Sequence, residues 1–167
     1  YGNLVIKSTD FKKTESLSSE QFFNNYLEKI RWDQVGRGVV EGWIENVVNS
    51  SSIIIRVDGL KSTVGCFQDQ LLINGDKWAG CYFPSSLENK TNIMKKINLI
   101  VKNSSNFLIK KGFWGYYSFD LITTKNNEVY CVEANMRKIG SFYPKIFVDT
   151  VKKNFNIGTK YAYVSSD

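Results

Sequence analysis

The sequence contains no histidine among its 167 residues. This absence excludes Ser-His-Asp and Cys-His nucleophile systems as well as zinc sites built on histidine. The chain also lacks a GxxxxGK[ST] phosphate loop, a strand-linked GxGxxG motif and a GxSxG elbow, so no Walker loop, Rossmann fingerprint or hydrolase elbow is expected. The chemistry that remains uses carboxylates, lysine, arginine and a hard cation such as Mg²⁺.

Long apolar runs are missing too, and no stretch of about 18 apolar residues predicts a membrane span. Proline is rare, with two residues, while 43% of the residues are hydrophobic, so disorder is not expected. A chain of this size forms one compact soluble domain. Cys66, Cys81 and Cys131 are odd in number and lie in apolar runs, which predicts free thiols in a reducing cytoplasm.

The formal net charge is +6, and most of it comes from scattered lysines. The charge lacks the arginine-rich or aromatic-interleaved runs that are typical of a nucleic-acid surface, so neither nucleic acid nor a membrane is predicted as a partner. A small polyanionic ligand suits this field. The sequence does not indicate an oligomeric state.

The most informative stretch runs from Gly115 to Arg137 and reads GYYSFDLITTKNNEVYCVEANMR. Its two runs of strand-forming residues flank a turn-prone TKNN segment, which predicts an antiparallel hairpin with a loop of about four residues, Lys125 to Glu128. With this loop Asp120 lies opposite Glu133, and a slip of two residues would make them diagonal neighbours on the same face.

Two facing carboxylates repel each other unless a cation lies between them, and Asn135 adds a neutral oxygen on the same face. Oxygen ligands without histidine or a CxxC motif favour Mg²⁺, which usually shares its coordination shell with phosphate oxygens. Alternation alone leaves a second interpretation open. A half-exposed hairpin also carries solvated polar residues on its outer face.

The order of Asp120, then Glu133-Ala134-Asn135, then Arg137 and Gly140, resembles the C-terminal metal-binding signature of the ATP-grasp superfamily. This resemblance implies that Asp120, Glu133 and Asn135 bind two Mg²⁺ ions against the triphosphate of ATP, and that Arg137 contacts phosphate or an acyl-phosphate. Met136 stands where many members have proline. The longer strings GFWGYYSFDL and VEANMRKIGSFYP look most like the peptide-ligase branch, which includes L-amino-acid ligases.

In the same frame, the strand LVIK resembles the one whose lysine reaches the nucleotide phosphates, which assigns that role to Lys7. The flap that should follow, Ser8 to Leu17, departs from the family because it contains no glycine. The segment Gly38 to Ile44 reads plainly as a buried strand ending in an acid. It also resembles the hinge that binds adenine, which makes Glu41, Trp43 and Ile44 candidate adenine contacts.

The remaining pattern predicts helices and strands in alternating groups. The helices are expected from Ser18, as N-cap, to about Trp32, from about Leu87 to Lys111 with a possible break at Asn103-Ser104-Ser105, and from about Lys145 to Phe155. The strands are expected at Ser52 to Val57, Thr63 to Gln68, Gln70 to Ile73 and Tyr161 to Val164. Whether Arg56 and Gln70 face the cleft is left open.

Together these features predict an α+β fold with an ATP-grasp core, in which two small lobes with mainly antiparallel sheets clamp ATP. The N-terminal lobe would span about 1–45 and the C-terminal lobe about 46–167, and an upstream substrate domain is expected to be missing. The function that the resemblance implies is an ADP-forming ligase that joins a small carboxylate to an amine, an amino acid or a peptide. Two alternatives are a catalytically impaired ATP-binding domain and a non-enzymatic basic module that binds an acidic partner.

Overall fold

The computed structural model describes residues 18, 20–21, 24–25, 28, 41–74, 77–155 and 161–164. The chain divides into two compact units, Tyr1–Trp43 and Ile44–Asp167. In the first unit, the backbone amide of Ser18 donates to Gln21 Oε1 at 2.9 Å, and the amide of Gln21 donates to Ser18 Oγ at 3.2 Å. This reciprocal pair is a capping box, so the N-cap predicted at Ser18 is confirmed. The predicted LVIK strand and the flap lie outside the described residues.

Six strands of the second unit pair into a single sheet. In chain order they are β1 (Val47–Asp58), β2 (Lys61–Ile73), β3 (Lys77–Phe83), β4 (Gly115–Thr124), β5 (Val129–Asn135) and β6 (Tyr161–Val164). Their order across the sheet is β5-β4-β1-β2-β3-β6, and each neighbouring pair is antiparallel. Two helices complete the unit, α1 (Thr91–Lys110) and α2 (Phe142–Asn154). The predicted α+β class with an antiparallel sheet is confirmed.

One face of the sheet packs against α1. The buried residues are alternate side chains of the central strands together with a helical stripe: Ile53, Ile55, Val57, Phe67, Tyr117, Phe119, Leu121, Ile93, Ile97 and Val101. Each large aliphatic side chain buried there contributes about 1.5–3 kcal/mol. The helix α1 continues through residues 103–105 without the break that the sequence left possible. Ser104 and Ser105 remain satisfied because their hydroxyls contact the Tyr117 hydroxyl at 3.0 and 2.8 Å.

The opposite face carries a smaller apolar cluster, to which α2 contributes its first residue. This cluster contains Ile54, Cys66, Cys81, Phe83 and Phe142. The three cysteines are free thiols, as predicted, with Cys66 and Cys81 buried and Cys131 exposed. No helix in the described part of the chain has the length and apolar character that crossing a membrane requires.

Several predicted bounds were wrong. Thr63 to Gln68 and Gln70 to Ile73 are not two strands but one, β2, because Asp69 pairs on both sides and its carboxylate accepts hydrogen bonds from the Ser85 hydroxyl and the Ser86 amide. The sequence pattern did not indicate β3 at all. Its Ala-Gly-Cys centre has low strand propensity, and the strand is held by pairing with β2 and β6.

The limits of the helices also differ. The helix α1 begins at Thr91 rather than near Leu87, and α2 begins at Phe142 rather than Lys145. The strand predicted to end at Ile44 is wrong over residues 41–44, where the chain has no regular secondary structure.

Candidate functional site

The two acids singled out in the sequence lie directly opposite each other on the β4–β5 hairpin. Asp120 on β4 is the Cα partner of Glu133 on β5, and Ser118 is the partner of Asn135. The strands are separated by residues 125–128, as expected, but beside the turn Val129 pairs with Thr123 rather than with Thr124, one residue off the register that this loop predicts. Because residues paired across an antiparallel ladder project to the same side, the carboxylates of Asp120 and Glu133 share one face. The predicted opposition of the acids is confirmed.

A β-bulge at Val132 sets this register. On the turn side of the bulge Leu121 pairs with Cys131, whereas on the far side Asp120 pairs with Glu133, so β5 contains one extra residue. If the pairing had continued from the turn without the bulge, Val132 would lie opposite Asp120. Glu133 would then project from the other face of the sheet. The meeting of the two carboxylates therefore depends on this single irregularity.

Asp120 is held in partly dehydrated surroundings. Its Oδ1 atom is buried and has no hydrogen-bond partner. Burial is the main cause that raises the pKa of Asp120, the charge of Glu133 raises it further, and the polar side chains of Ser52 and Gln70 act in the opposite direction. A buried carboxylate oxygen without a donor is costly, and a bound cation would remove that cost.

Glu133 and Asn135 are joined to each other. The Asn135 side-chain nitrogen donates a hydrogen bond of 2.9 Å to Glu133 Oε1. This bond uses one of the two amide hydrogens of Asn135 and leaves its carbonyl oxygen outside the bond. One oxygen from each of Glu133 and Asn135 is therefore free to join the carboxylate of Asp120 around a cation.

Polar residues continue across the sheet from the acid on β4. Ser52 on β1 pairs with Asp120 on one side and with Gln68 on β2 on the other. Its Oγ atom is buried without a hydrogen-bond partner. Ser50 Oγ donates to Gln70 Oε1 at 2.6 Å, and Gln68 donates to the hydroxyl of Ser141. We call this side of the sheet, which carries Asp120, Glu133, Asn135, Ser52 and Gln68, the site face.

Two cationic residues, Arg137 and Lys138, follow Asn135 in the sequence. Arg137 is exposed, and its side-chain Nη1 atom donates to the carbonyl oxygen of Lys138 at 3.3 Å. The Lys138 ammonium lies 5.0 Å from the centre of the Tyr116 ring and 5.2 Å from that of Phe142. Cation–π contacts therefore hold Lys138 at the Tyr116 end of the site face.

The strand register shows on which face of the sheet Arg56 and Gln70 lie. Arg56 pairs with Tyr116, and on β1 it lies two residues from Ile54, a member of the cluster on the site face. Gln70 lies two residues from Gln68 on the same strand. Both residues therefore belong to the site face, a result that needed the pairing of strands distant in sequence.

The donor set can be tested against the metal that it suggests. In the described ranges, no three His, Cys, Asp or Glu side chains come together. A closed site built by protein ligands alone is thus not seen in this part of the chain. Two carboxylates and one amide oxygen suit Mg²⁺, which keeps waters and phosphate oxygens in its shell. The unpartnered Oδ1 of Asp120 agrees with this interpretation.

The other predicted site residues are the candidate nucleotide contacts, and the described structure does not test them. Lys7 lies outside the described residues. Glu41, Trp43 and Ile44 are in irregular chain, where Trp43 is exposed and Ile44 is half-buried. Their roles in adenine binding stay predictions.

A separate cavity of about 330 Å³ lies beside β2 and α2, and its lining includes Cys66, Phe83, Glu88 and Lys145. Neither carboxylate of the hairpin lines it. Burial raises the pKa of the Cys66 thiol to about 12, so Cys66 is not a thiolate nucleophile at neutral pH.

Comparison with known proteins shows a shared fold. No family model matches the sequence, and the search of the curated proteins found no match. Among solved structures, the chain is similar to the biotin carboxylase of Campylobacter jejuni in complex with β,γ-ATP, with a TM-score of 0.59 and 15% identity over 77% of this chain and 28% of that one.

It is also similar to the biotin carboxylase domain of the Hydrogenobacter thermophilus 2-oxoglutarate carboxylase, a complex with MgADP, ADP and bicarbonate. There the TM-score is 0.56 and the identity 17% over 72% of this chain and 27% of that one. At such low identity the likeness establishes the fold alone, an α+β domain with an antiparallel sheet. The chain spans about a quarter of the length of these structures.

Proposed function

We propose that this chain is the nucleotide- and metal-binding core of an ATP-grasp enzyme, an ADP-forming ligase that joins a carboxylate to an amine. The observation that carries the proposal is the pairing of Asp120 with Glu133 on a polar sheet face, where the Oδ1 atom of Asp120 is buried without a partner. Two facing acids that repel each other, one of them partly buried, are explained by a cation that binds both.

The similar solved structures support the nucleotide part of this proposal. The Campylobacter jejuni enzyme is a complex with β,γ-ATP, and the Hydrogenobacter thermophilus domain is a complex with MgADP. Because this chain spans about a quarter of each, the proposal for the whole reaction rests mainly on the site residues and on the family resemblance of the sequence.

In the proposed site, Asp120, Glu133 and Asn135 would hold Mg²⁺, and the exposed guanidinium of Arg137 would contact the phosphates. The bound cation would neutralise the phosphate charge that develops during transfer. The residues of the chain contribute by position: the sheet holds both carboxylates on one face, and Arg137 adds a permanent positive charge two residues after Asn135.

The proposed reaction has two steps. A carboxylate oxygen of the substrate attacks the γ-phosphorus of ATP, the bond from that phosphorus to the β–γ bridging oxygen breaks, and ADP leaves with an acyl-phosphate formed. An amine then attacks the acyl carbon, phosphate leaves, and the amine loses a proton, which gives an amide or a peptide bond. We assign nucleotide phosphate binding to Lys7 and adenine binding to Glu41, Trp43 and Ile44, and we place the chain in the peptide-ligase branch, on the resemblance of the sequence alone.

A second candidate is an ATP-binding domain that has lost catalysis. The sequence Ser8 to Leu17, which stands where the family has its phosphate-covering flap, contains no glycine, and glycine-rich backbone is what allows amides to approach phosphate closely. Such a domain would bind MgATP and release no ADP with any pair of acid and amine. A non-enzymatic basic module would instead ignore MgATP and bind an acidic partner in a salt-sensitive manner.

The test is a thermal-shift measurement with MgATP on the wild type and on Glu133→Gln. A ligand at a hundred times its dissociation constant stabilises a protein by about 2.7 kcal/mol, so the wild type should shift and Glu133→Gln should not. The matched control is Glu128→Gln, which removes the same charge from the connection of the same hairpin. If Glu133→Gln shifts as much as the wild type, these are the wrong acids, and if the wild type does not shift, the nucleotide proposal fails.

A further inference from the structure

The site face changes in character along β4. At one end Ile122 pairs with Tyr130 and Ser50, and the Tyr130 hydroxyl donates to the Glu128 carboxylate. In the middle lies the acidic pair of Asp120 and Glu133. At the other end lie the cations Arg56 and Lys138, with Asp58 as the acid paired to Arg56. The two ends therefore suit different parts of the bound molecules.

The cationic end is built on Tyr116. Arg56 pairs with Tyr116 across β1 and β4, and the Lys138 ammonium lies 5.0 Å from the Tyr116 ring. Phe142 completes the support: its ring is 4.9 Å from the Tyr116 ring and 5.2 Å from the Lys138 ammonium. Two aromatic faces thus restrict where this ammonium can lie, which lowers the entropy that it would lose on binding an anion.

The two cations at this end differ in how far they are already neutralised. Arg56 Nη2 forms an ion pair with Asp58 Oδ2 at 2.8 Å, and Asp58 Oδ1 also accepts from the Trp114 indole at 3.1 Å. Lys138 forms no ion pair with an acid in the part of the chain that the structure describes. Its charge is therefore available to a ligand, with Arg56 adding to the positive field.

The distance along β4 limits what could bridge the metal ligands and this end. Asp120 lies four residues from Tyr116, about 13 Å, whereas Ser118, opposite Asn135, lies two residues from Tyr116, about 7 Å. A carboxylate phosphorylated beside Asn135, the proposed metal ligand nearest this end, could place a second anionic group at Lys138 if a short carbon chain joins the two groups.

Resting on the function proposed above, we propose that the acid substrate is a dicarboxylate of about four or five carbons, whose second carboxylate binds Lys138. One carboxylate accepts the phosphoryl group beside Asn135, the proposed metal ligand nearest Lys138. The other stays ionised and forms a charge-assisted hydrogen bond with the Lys138 ammonium. This assigns Lys138 as a residue that determines substrate specificity. An amino-acid substrate could bring the same carboxylate from the amine side of the reaction, and the experiment separates the two.

The experiment compares glutarate with pentanoate, which has the same number of carbons but one carboxylate. Calorimetric titrations use the full chain, with and without MgADP. We expect glutarate to bind about tenfold more tightly than pentanoate, and Lys138→Met to remove this preference without weakening MgADP. Lys138→Arg should retain the preference. Lys102→Met is the matched control, because Lys102 is exposed on α1 at the other face of the sheet.

The outcomes distinguish a dicarboxylate substrate from a carboxylate of the amine substrate. Equal affinities of the two acids for the wild type, no binding of either, or a preference that survives in Lys138→Met overturns the dicarboxylate inference. If glycine in place of glutarate shows the dependence on Lys138, the carboxylate belongs to the amine substrate and the inference is wrong. Because MgADP is titrated separately, loss of nucleotide binding in the wild type counts against the proposed function, while glutarate binding without nucleotide still reports on Lys138.

Discussion

Replacing Asp120 by asparagine should stabilise the protein without ligand and abolish its response to MgATP. The substitution keeps the shape of the side chain but removes a charge that is partly buried and faces Glu133. If Asp120 only stabilised the fold, its substitution would lower stability. If Asp120 binds a cation, its carboxylate repels that of Glu133 when no cation is bound, so the substitution should raise stability and weaken binding.

The magnitude follows from the strand register. Side chains directly opposite on antiparallel strands have Cβ atoms about 5 Å apart, which places the two carboxylates roughly 6 Å apart. Coulomb repulsion at that distance is about 2.8 kcal/mol at an effective dielectric constant of 20 and about 0.7 kcal/mol in water. Glu133 is exposed. We therefore expect a gain of about 1 kcal/mol for Asp120→Asn, which corresponds to a Tm increase of about 2–4 °C for a chain of this size.

The pH dependence provides a second check. Because burial raises the pKa of Asp120 above its ordinary value of 3.8, the folded state binds this proton more tightly than the unfolded state. The contribution of Asp120 to wild-type stability should therefore fall as the pH rises from 3.8 through the folded pKa, and it is lost above that pKa. The advantage of Asp120→Asn should be full above the folded pKa and shrink as the pH approaches 3.8.

The assay is thermal unfolding at several pH values, with and without MgATP at a hundred times its dissociation constant for the wild type. The wild type should gain about 2.7 kcal/mol from the ligand, and Asp120→Asn close to none. A ligand-free variant that is less stable than the wild type by 1 kcal/mol or more at pH 7 would refute the repulsion argument. A full MgATP response in the variant would refute the role of Asp120 as a ligand.

Two further predictions concern the core. Tyr117→Phe should lower the free energy of unfolding by about 1–2 kcal/mol in urea titrations, because it leaves the buried hydroxyl of Ser105 without its partner at 2.8 Å, and Ser105→Ala added to it should recover part of the loss; a single variant as stable as the wild type would contradict this. Iodoacetamide at pH 8 followed by mass spectrometry should modify the exposed Cys131 long before Cys66, whose pKa burial raises to about 12, and equal rates would contradict the described packing.

The sequence by itself determined the local features of the site. Period-two alternation along β4 puts Tyr117, Phe119 and Leu121 on one face, which the structure buries, and Asp120 on the other. The turn-prone TKNN segment predicted where the hairpin reverses. These features depend on residues close in sequence, whose backbone preferences and side-chain directions follow simple periods.

The tertiary structure decided which side chains meet. The β-bulge at Val132 brings Glu133 opposite Asp120, although composition does not distinguish a bulged strand from a regular one. Pairing of β1 with β4 brings Ser52 beside Asp120 and Arg56 beside Tyr116, across more than 50 residues of sequence. Such neighbours follow from the register between distant strands, which is set when the sheet buries one face against a helix. Local sequence propensity does not determine that register.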